Sequence, residues 1–511
     1  MSDLNDKLMA DIPRGVTSRY LSQQKVPQAR FQDVEKIYAS NTLAYDPDNP
    51  GKKILFGALD DRLIGIEDNR HILTMAGSRA GKSVTVIGNL LCYKGSVLAT
   101  DPKAELANLT AKRRAKMGQK VYVLDPFDNA SDNIAKYRAS YNPMSVLKQG
   151  SLTLIEDASL IADAMVVQPA NPRDPHWDES AKNFLEGLML HVATDPRYEG
   201  RRTLVTMRDL IKITLQPEEG DDGDDPVYII EREMLENAVR LCETHETEDV
   251  GNAIEGAARG FYDMEAREQA NVLSNVRRHT KFLDYRAMRQ SLSGHDFDLA
   301  DLKSDPNGVT IYLCFPATRI EISNRWLRIF VNQLLDAMER EKTPPPAPVL
   351  VCLDEFPVLG YMRQLETAAG LIASYDVKLW VLIQDWSQGK ALYKDRWETF
   401  TGNAGVIQAF GNNDLATTEY LSKRLGRTTV EVTRSSEVAI NQREQGMTGQ
   451  STAIELHELM TAEEIARIFA RNDPQKRQLI LWAGYHPMIL QRVEYWDENS
   501  PVYSYFKDRI S

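Results

Sequence analysis

The amino-acid sequence predicts an α/β protein whose parallel-rich sheet is interrupted by an inserted all-α domain. Three observations support that reading. Apolar runs of strand length alternate with helical stretches over residues 54–150, the order that builds right-handed βαβ crossovers and a parallel sheet. From about 150 to 300 the pattern changes to helical periodicity with few strand-like runs. Strands then resume at Val309-Thr310-Ile311-Tyr312-Leu313-Cys314-Phe315. The predicted organisation is an N-terminal extension over 1–53, the first part of the α/β domain over 54–150, the all-α insertion over 151–300, and the second part of the α/β domain over 301–511.

Residues before Ile54 lack a clear period and end in the turn-rich Tyr45-Asp46-Pro47-Asp48-Asn49-Pro50-Gly51, which suits an extension with a helix or two. The apolar run Ile72-Leu73-Thr74-Met75 leads into Ala76-Gly77-Ser78-Arg79-Ala80-Gly81-Lys82-Ser83 and then an amphipathic stretch from Val84. Strand, loop and helix in this order make a phosphate-binding loop for ATP. Its backbone N–H groups turn inward around the phosphates, and the helix N-terminus adds partial positive charge. Lys82 reaches the terminal phosphates and the Ser83 hydroxyl ligates Mg²⁺. The usual pattern opens on glycine where this chain has Ala76, a replacement that fits while φ there stays negative. Ser96-Val97-Leu98-Ala99-Thr100, a helix through Met117 and the strand Lys120-Val121-Tyr122-Val123-Leu124 follow.

Val349-Leu350-Val351-Cys352-Leu353 followed by Asp354-Glu355 reads as a Walker B strand. A buried parallel strand is continuously apolar, so both carboxylates emerge at the sheet edge where open α/β folds bind ligands. Asp354 is expected to hold Mg²⁺ and Glu355 to polarise the attacking water. The strand Lys378-Leu379-Trp380-Val381-Leu382-Ile383 ends at Gln384, the place of a γ-phosphate sensor in RecA-like motors. Lys82 and Asp354 lie too far apart for a minimal P-loop domain, and a helical domain inserted into one RecA-like sheet explains the distance.

A net charge of −12 excludes a uniformly basic nucleic-acid coat, so any DNA contact must be a local patch or a pore lining. Arg277-Arg278 with Lys281, Arg286 and Arg289, and Lys112-Arg113-Arg114, are the candidate patches. The acidic run Glu218–Pro226 reads as a solvated loop. Cys92, Cys242, Cys314 and Cys352 are widely spaced and form no Cys-x-x-Cys pair, which speaks against a zinc ribbon or redox motif. No apolar run approaches the ~20 residues that span a bilayer, so the expected location is cytoplasmic, with any recruitment to the inner membrane face supplied by a partner.

Several ordered blocks resemble the type IV coupling proteins, the TraG/TraD-like ATPases of bacterial conjugation and type IV secretion. These are Asp101-Pro102-Lys103-Ala104-Glu105-Leu106, His176-Trp177-Asp178-Glu179-Ser180-Ala181, Leu353-Asp354-Glu355-Phe356, Leu379 to Asp385, Tyr393 to Phe400, Gly402 to Val406, Asn413-Asp414 with Thr417 to Ser422, and Leu459 to Ile465. The resemblance covers the chain from about residue 54 onward. It implies a homo-hexameric ATPase that moves single-stranded DNA with its attached relaxase, or protein effectors, toward type IV secretion channel components. Most members begin with transmembrane helices, and this sequence shows none. Some relatives carry an arginine finger between the Walker B pair and the sensor Gln, but Gly370–Val377 holds no Arg; Arg363, Arg396 and Arg424 are the candidates. A receptor for protein effectors without DNA translocation is the alternative. A double-stranded DNA pump fits less well, because no C-terminal winged-helix pattern follows.

Overall fold

A computed structural model describes residue 8 and residues 28–167, 176–217, 227–362, 365–366, 372–435 and 450–510. Its strands are β1 (Ile54–Leu59), β2 (Arg62–Ile66), β3 (His71–Ala76), β4 (Val97–Thr100), β5 (Lys120–Leu124), β6 (Val309–Leu313), β7 (Val349–Leu353), β8 (Val377–Ile383), β9 (Ala404–Phe410), β10 (Arg427–Ser435), β11 (Gln450–Glu458), β12 (Arg477–Trp482) and β13 (Met488–Gln491). The chain divides into two compact units. One comprises Met1–Lys94, Leu350–Pro357 and Lys378–Ser511, the other Gly95–Val349 and Val358–Val377.

In the first unit the strands run in the order β2-β1-β13-β12-β9-β3-β8-β7. β3 lies parallel to β8 on one side and to β9 on the other. Both β3 and β8 are buried at every position, as expected for strands covered on both faces. The sheet then changes character, because β12, β13, β1 and β2 are joined antiparallel to one another and β12 runs antiparallel to β9. A separate hairpin pairs β10 with β11. One short helix, Val34–Ala39, is described in the N-terminal extension, capped by Asp33 accepting from the Glu35 N–H.

Polar side chains cross this buried sheet in one directed relay. Trp380 Nε1 donates to Thr74 Oγ1 at 2.8 Å, Thr74 to Gln408 Oε1 at 2.9 Å, and Gln408 to Gln478 Oε1 at 2.6 Å; Gln478 then donates to the Phe56 carbonyl at 2.6 Å. Thr74, Gln408 and Gln478 are essentially inaccessible. Each donor has an acceptor, which removes the desolvation cost of burying them.

The second unit contains the parallel strands β4-β6-β5 and the helices Leu154–Met165, His176–Thr194, Leu204–Ile213, Ile229–Cys242, Glu248–Tyr262, Ala266–Thr280 and Arg286–Ser293. Helices His176–Thr194 and Glu248–Tyr262 cross closely, since a Cβ on Gly187 would lie 2.1 Å from that of Ala257, and Phe184 stacks on Phe261 beside this crossing. Asp101 is buried, and its carboxylate accepts from the Ala107 N–H at 2.8 Å, capping helix Glu105–Lys116. The expectation that Arg114 belongs to a DNA-lining cluster is overturned. Arg114 is fully buried and donates to Thr310 Oγ1 at 2.9 Å and to the Gly95 carbonyl at 2.7 Å. The acidic run 218–226 lies outside the described residues. Cys92, Cys314 and Cys352 are buried, whereas Cys242 is exposed.

Candidate functional site

The loop between β3 and helix Lys82–Leu90 occupies the C-terminal end of β3. Ala76 closes the strand with its φ outside the left-handed region, as a residue with a Cβ requires there, whereas Arg79 and Gly81 take φ of 57° and 104°. Gly81 is the helix N-cap, so the N–H groups of the helix's first turn have no intrahelical acceptor, an arrangement that suits an anion. Gly77 permits a close crossing. A Cβ on it would lie 2.0 Å from the Gly411 carbonyl oxygen, while the Gly77 N–H donates to the Phe410 carbonyl at 3.3 Å. Ser78 and Arg79 are exposed, and Lys82 and Ser83 are half-buried.

Three predicted residues converge. Lys82 Nζ lies 3.5 Å from Glu355 Oε2, and Gln384 Nε2 donates to Glu355 Oε1 at 3.1 Å. Glu355 sits at φ 55°, just past β7, and its N–H donates to Asp354 Oδ1 at 3.1 Å. Non-glycine residues in this left-handed region are uncommon and cluster at functional sites. The Lys82–Glu355 pair is loose and partly open, with side-chain accessibilities of 12% and 31%, so its role is not chiefly stability. Gln384 is fixed twice more. Its N–H donates to Gln388 Oε1 at 2.8 Å, and its carbonyl accepts from Asn412 Nδ2 at 3.0 Å.

Sequence reasoning passed over Asn412, Gln388 and Arg492. Arg492 follows β13 and places one guanidinium nitrogen 2.9 Å from the Ala80 carbonyl and another 3.0 Å from that of Arg471, with its charge 5.4 Å from the centre of the Phe410 ring. Burial pushes its pKa down. Asn413-Asp414 pointed to the neighbourhood of Asn412, but no local pattern marks an arginine that grips a loop more than four hundred residues earlier.

The candidate arginines do not share this placement. Arg363 lies outside the described residues. Arg396 is exposed at the start of helix Arg396–Gly402, and Arg424 lines a cavity with Ala404 and Trp482. Ala404 pairs with His71 at the beginning of β3, the sheet edge opposite the P-loop. In the candidate DNA cluster, Arg277, Lys281 and Arg286 are exposed, whereas Arg289 is engaged by Asp209 at 2.6 Å and Arg278 by Asp178 at 3.2 Å.

A serine hydroxyl and an aspartate carboxylate beside a phosphate cradle form a hard-oxygen donor set that suits Mg²⁺ held jointly with a nucleotide. Among the described residues no cluster of three or more His, Cys, Asp or Glu could hold a metal by itself, and no helix is long and apolar enough to cross a membrane.

A family model described as Type IV secretory system Conjugative DNA transfer matches residues 19–510. Conjugal transfer protein TraG of Escherichia coli is 28% identical over 371 residues, covering 70% of this chain and 55% of that protein. Type IV secretion system-coupling protein VirD4 of Bartonella henselae is 26% identical over 467 residues, covering 86% and 65%. The chain thus spans between half and two thirds of the length of these relatives. Among solved structures, the plasmid coupling protein TrwB in complex with ADP and Mg²⁺ superposes with a TM-score of 0.62 at 13% identity, covering 96% of this chain and 98% of that one. At that identity the likeness shows a shared fold.

Proposed function

Because the chain belongs to the type IV secretory system family of conjugative DNA transfer, we propose that it is an ATP-hydrolysing coupling protein that carries single-stranded DNA and its relaxase to a secretion channel. The convergence of Lys82, Glu355 and Gln384 at the ends of β3, β7 and β8 supports this reading most directly. The P-loop N–H groups and Lys82 bind the phosphates of ATP. Ser83 and Asp354 would hold Mg²⁺, which would neutralise phosphate charge. As the phosphates draw Lys82 toward themselves, Glu355 is freed from its loose pairing to orient and polarise water. Gln384, bonded to Glu355 on one side and to Asn412 and Gln388 on the other, reports occupancy to the β8 and β9 ends. An arginine from a neighbouring subunit of a hexamer, Arg363, Arg396 or Arg424, completes the transition-state charge. Membrane recruitment through another component of the secretion apparatus fits the same reading.

Hydrolysis by Lys82→Ala and Glu355→Gln proteins tests it. Lys82→Ala should lose nucleotide binding, whereas Glu355→Gln should retain binding and lose turnover by about 10²–10⁴-fold, since the amide cannot act as a base. Parental rates from either folded variant refute the site. Stimulation by single-stranded DNA supports the motor. Stimulation by a relaxase or effector protein alone supports the receptor alternative, which the net acidic charge favours for basic cargo.

A further inference from the structure

Two adjoining cavities, of about 300 and 250 Å³, open on the first unit and share Trp482, Tyr485 and His486 in their walls. Tyr485 stacks on Trp482 with ring centroids 3.7 Å apart and planes within 16°. The indole beneath is anchored, because Trp482 Nε1 donates to Asp68 Oδ2 at 2.9 Å and Asp68 is itself paired with Arg70. The tyrosine above remains 62% exposed. A fixed aromatic ring therefore presents one free face to solvent. Around it the cavity walls carry Arg30, Arg424, Lys36 and His486, and neither wall contains an Asp or Glu. In a chain of net charge −12, walls that carry cations, with the Asp68 carboxylate behind Trp482 already paired with Arg70, favour a ligand that is anionic and flat.

We propose that this groove binds single-stranded nucleic acid, one unpaired base stacking on Tyr485 while Arg30 and Lys36 take the flanking phosphates. Base-on-aromatic stacking within a cationic channel is the general chemistry of sequence-tolerant single-strand binding. A duplex offers no free base face to such a platform. Stacking on Trp482 pre-sets the Tyr485 ring, so little side-chain freedom is lost on binding. The groove is separate from the nucleotide site. Ala404 in its wall pairs with His71 and Phe410 behind the P-loop pairs with Ala76, so the two lie at opposite ends of β9, about 20 Å apart at ~3.3 Å per residue. The proposal rests on the reading of the protein as a handler of single-stranded DNA and names where the strand is held.

The test measures anisotropy of a labelled oligo(dT) against the full-length protein, with ADP binding as a control. Tyr485→Ala should weaken binding roughly tenfold, the loss typical of one stacked base, and Tyr485→Phe should restore it. Arg30→Gln with Lys36→Gln should weaken binding and reduce the magnitude of the log–log salt slope by about 1.4 for two lost phosphate contacts. ADP affinity should stay at the parental value in all three variants. Parental oligo(dT) binding that is unchanged in Tyr485→Ala places the strand elsewhere and overturns the groove alone. A parental protein that fails to bind oligo(dT) overturns both the groove and the DNA reading. Equal competition by duplex DNA or polyglutamate of matching charge reduces the patch to a non-specific anion surface and also overturns the proposal.

Discussion

Replacing Arg492 by Met should impair nucleotide binding although residue 492 lies outside the predicted loop and reaches it only through the Ala80 carbonyl. In the parent, Arg492 holds the Ala80 carbonyl at 2.9 Å and the Arg471 carbonyl at 3.0 Å while its charge lies over Phe410. Ala80 is only 6% exposed, so removing the donor orphans its buried acceptor at a cost of about 1–3 kcal/mol. Loss of the cation–π contact adds about 0.5–1 kcal/mol. The stability change should therefore fall within about 1.5–4 kcal/mol, measurable by urea unfolding. The loop itself is also released. If binding must then re-order one residue, the cost of about 1–2 kcal/mol corresponds to roughly tenfold in Kd. Calorimetric titration with ADP and Mg²⁺ should show that loss, and Arg492→Lys should recover part of it, since an ammonium keeps the charge but cannot span two carbonyls. An Arg492→Met protein that is destabilised yet binds ADP within twofold of the parent would show that the guanidinium only staples the C-terminal segment.

Gly77→Ala should abolish nucleotide binding in a protein that still folds, because the new Cβ meets the Gly411 carbonyl at 2.0 Å and the loop must move; tight ADP binding by this variant would contradict the crossing. Thr74→Val should cost about 2–4 kcal/mol in chemical denaturation, since it strands both the Trp380 N–H and Gln408 Oε1 inside the sheet, while ADP affinity stays unchanged. Burial drives the Lys378 pKa down to about 8, and its ammonium donates to the Asp68 carbonyl. From about pH 8 to the ordinary lysine range the unfolded chain binds more protons at this residue than the folded one, so its contribution makes stability rise with pH across that window. Urea midpoints at pH 7 and 9.5 should show a smaller rise in Lys378→Met than in the parent, and equal rises would refute the buried charge.

The parallel half of the fold was legible because its signals are local. β5 and β7 have the predicted boundaries, and β3 and β8 lie within a residue of them, since continuous apolar runs bounded by turn residues identify buried strands without help from distant chain. The stretch from β9, where the sheet turns from parallel to antiparallel, to β12 was not. β9 and β12 carry the buried amides Gln408 and Gln478, which break the apolar pattern, and those amides are tolerable only because partners far apart in sequence complete the relay. Arg114 misled for the same reason. Its helix reads as basic and solvated, yet the Thr310 hydroxyl and Gly95 carbonyl that satisfy its guanidinium meet only after folding. The left-handed backbone of Arg79 and Glu355 had no sequence signal, because neither residue type prefers it.

The P-loop itself shows how a local motif comes to depend on distant chain. Ala76 and Ala80 pack with Phe410, Gly411 lies against Gly77, and the Gly411 N–H donates to the Phe469 carbonyl at 2.7 Å. Arg492 then closes the loop from beyond β13. A flexible eight-residue segment cannot hold its N–H groups convergent by itself, because each free residue opposes ordering by about 1–2 kcal/mol. The convergence must come from the surrounding scaffold. If residues 76–83 are the nucleotide site as proposed, residues 410–412, 469–471 and 492 belong to it in the energetic sense, and substitutions there should act like substitutions in the loop although no phosphate-binding pattern includes them.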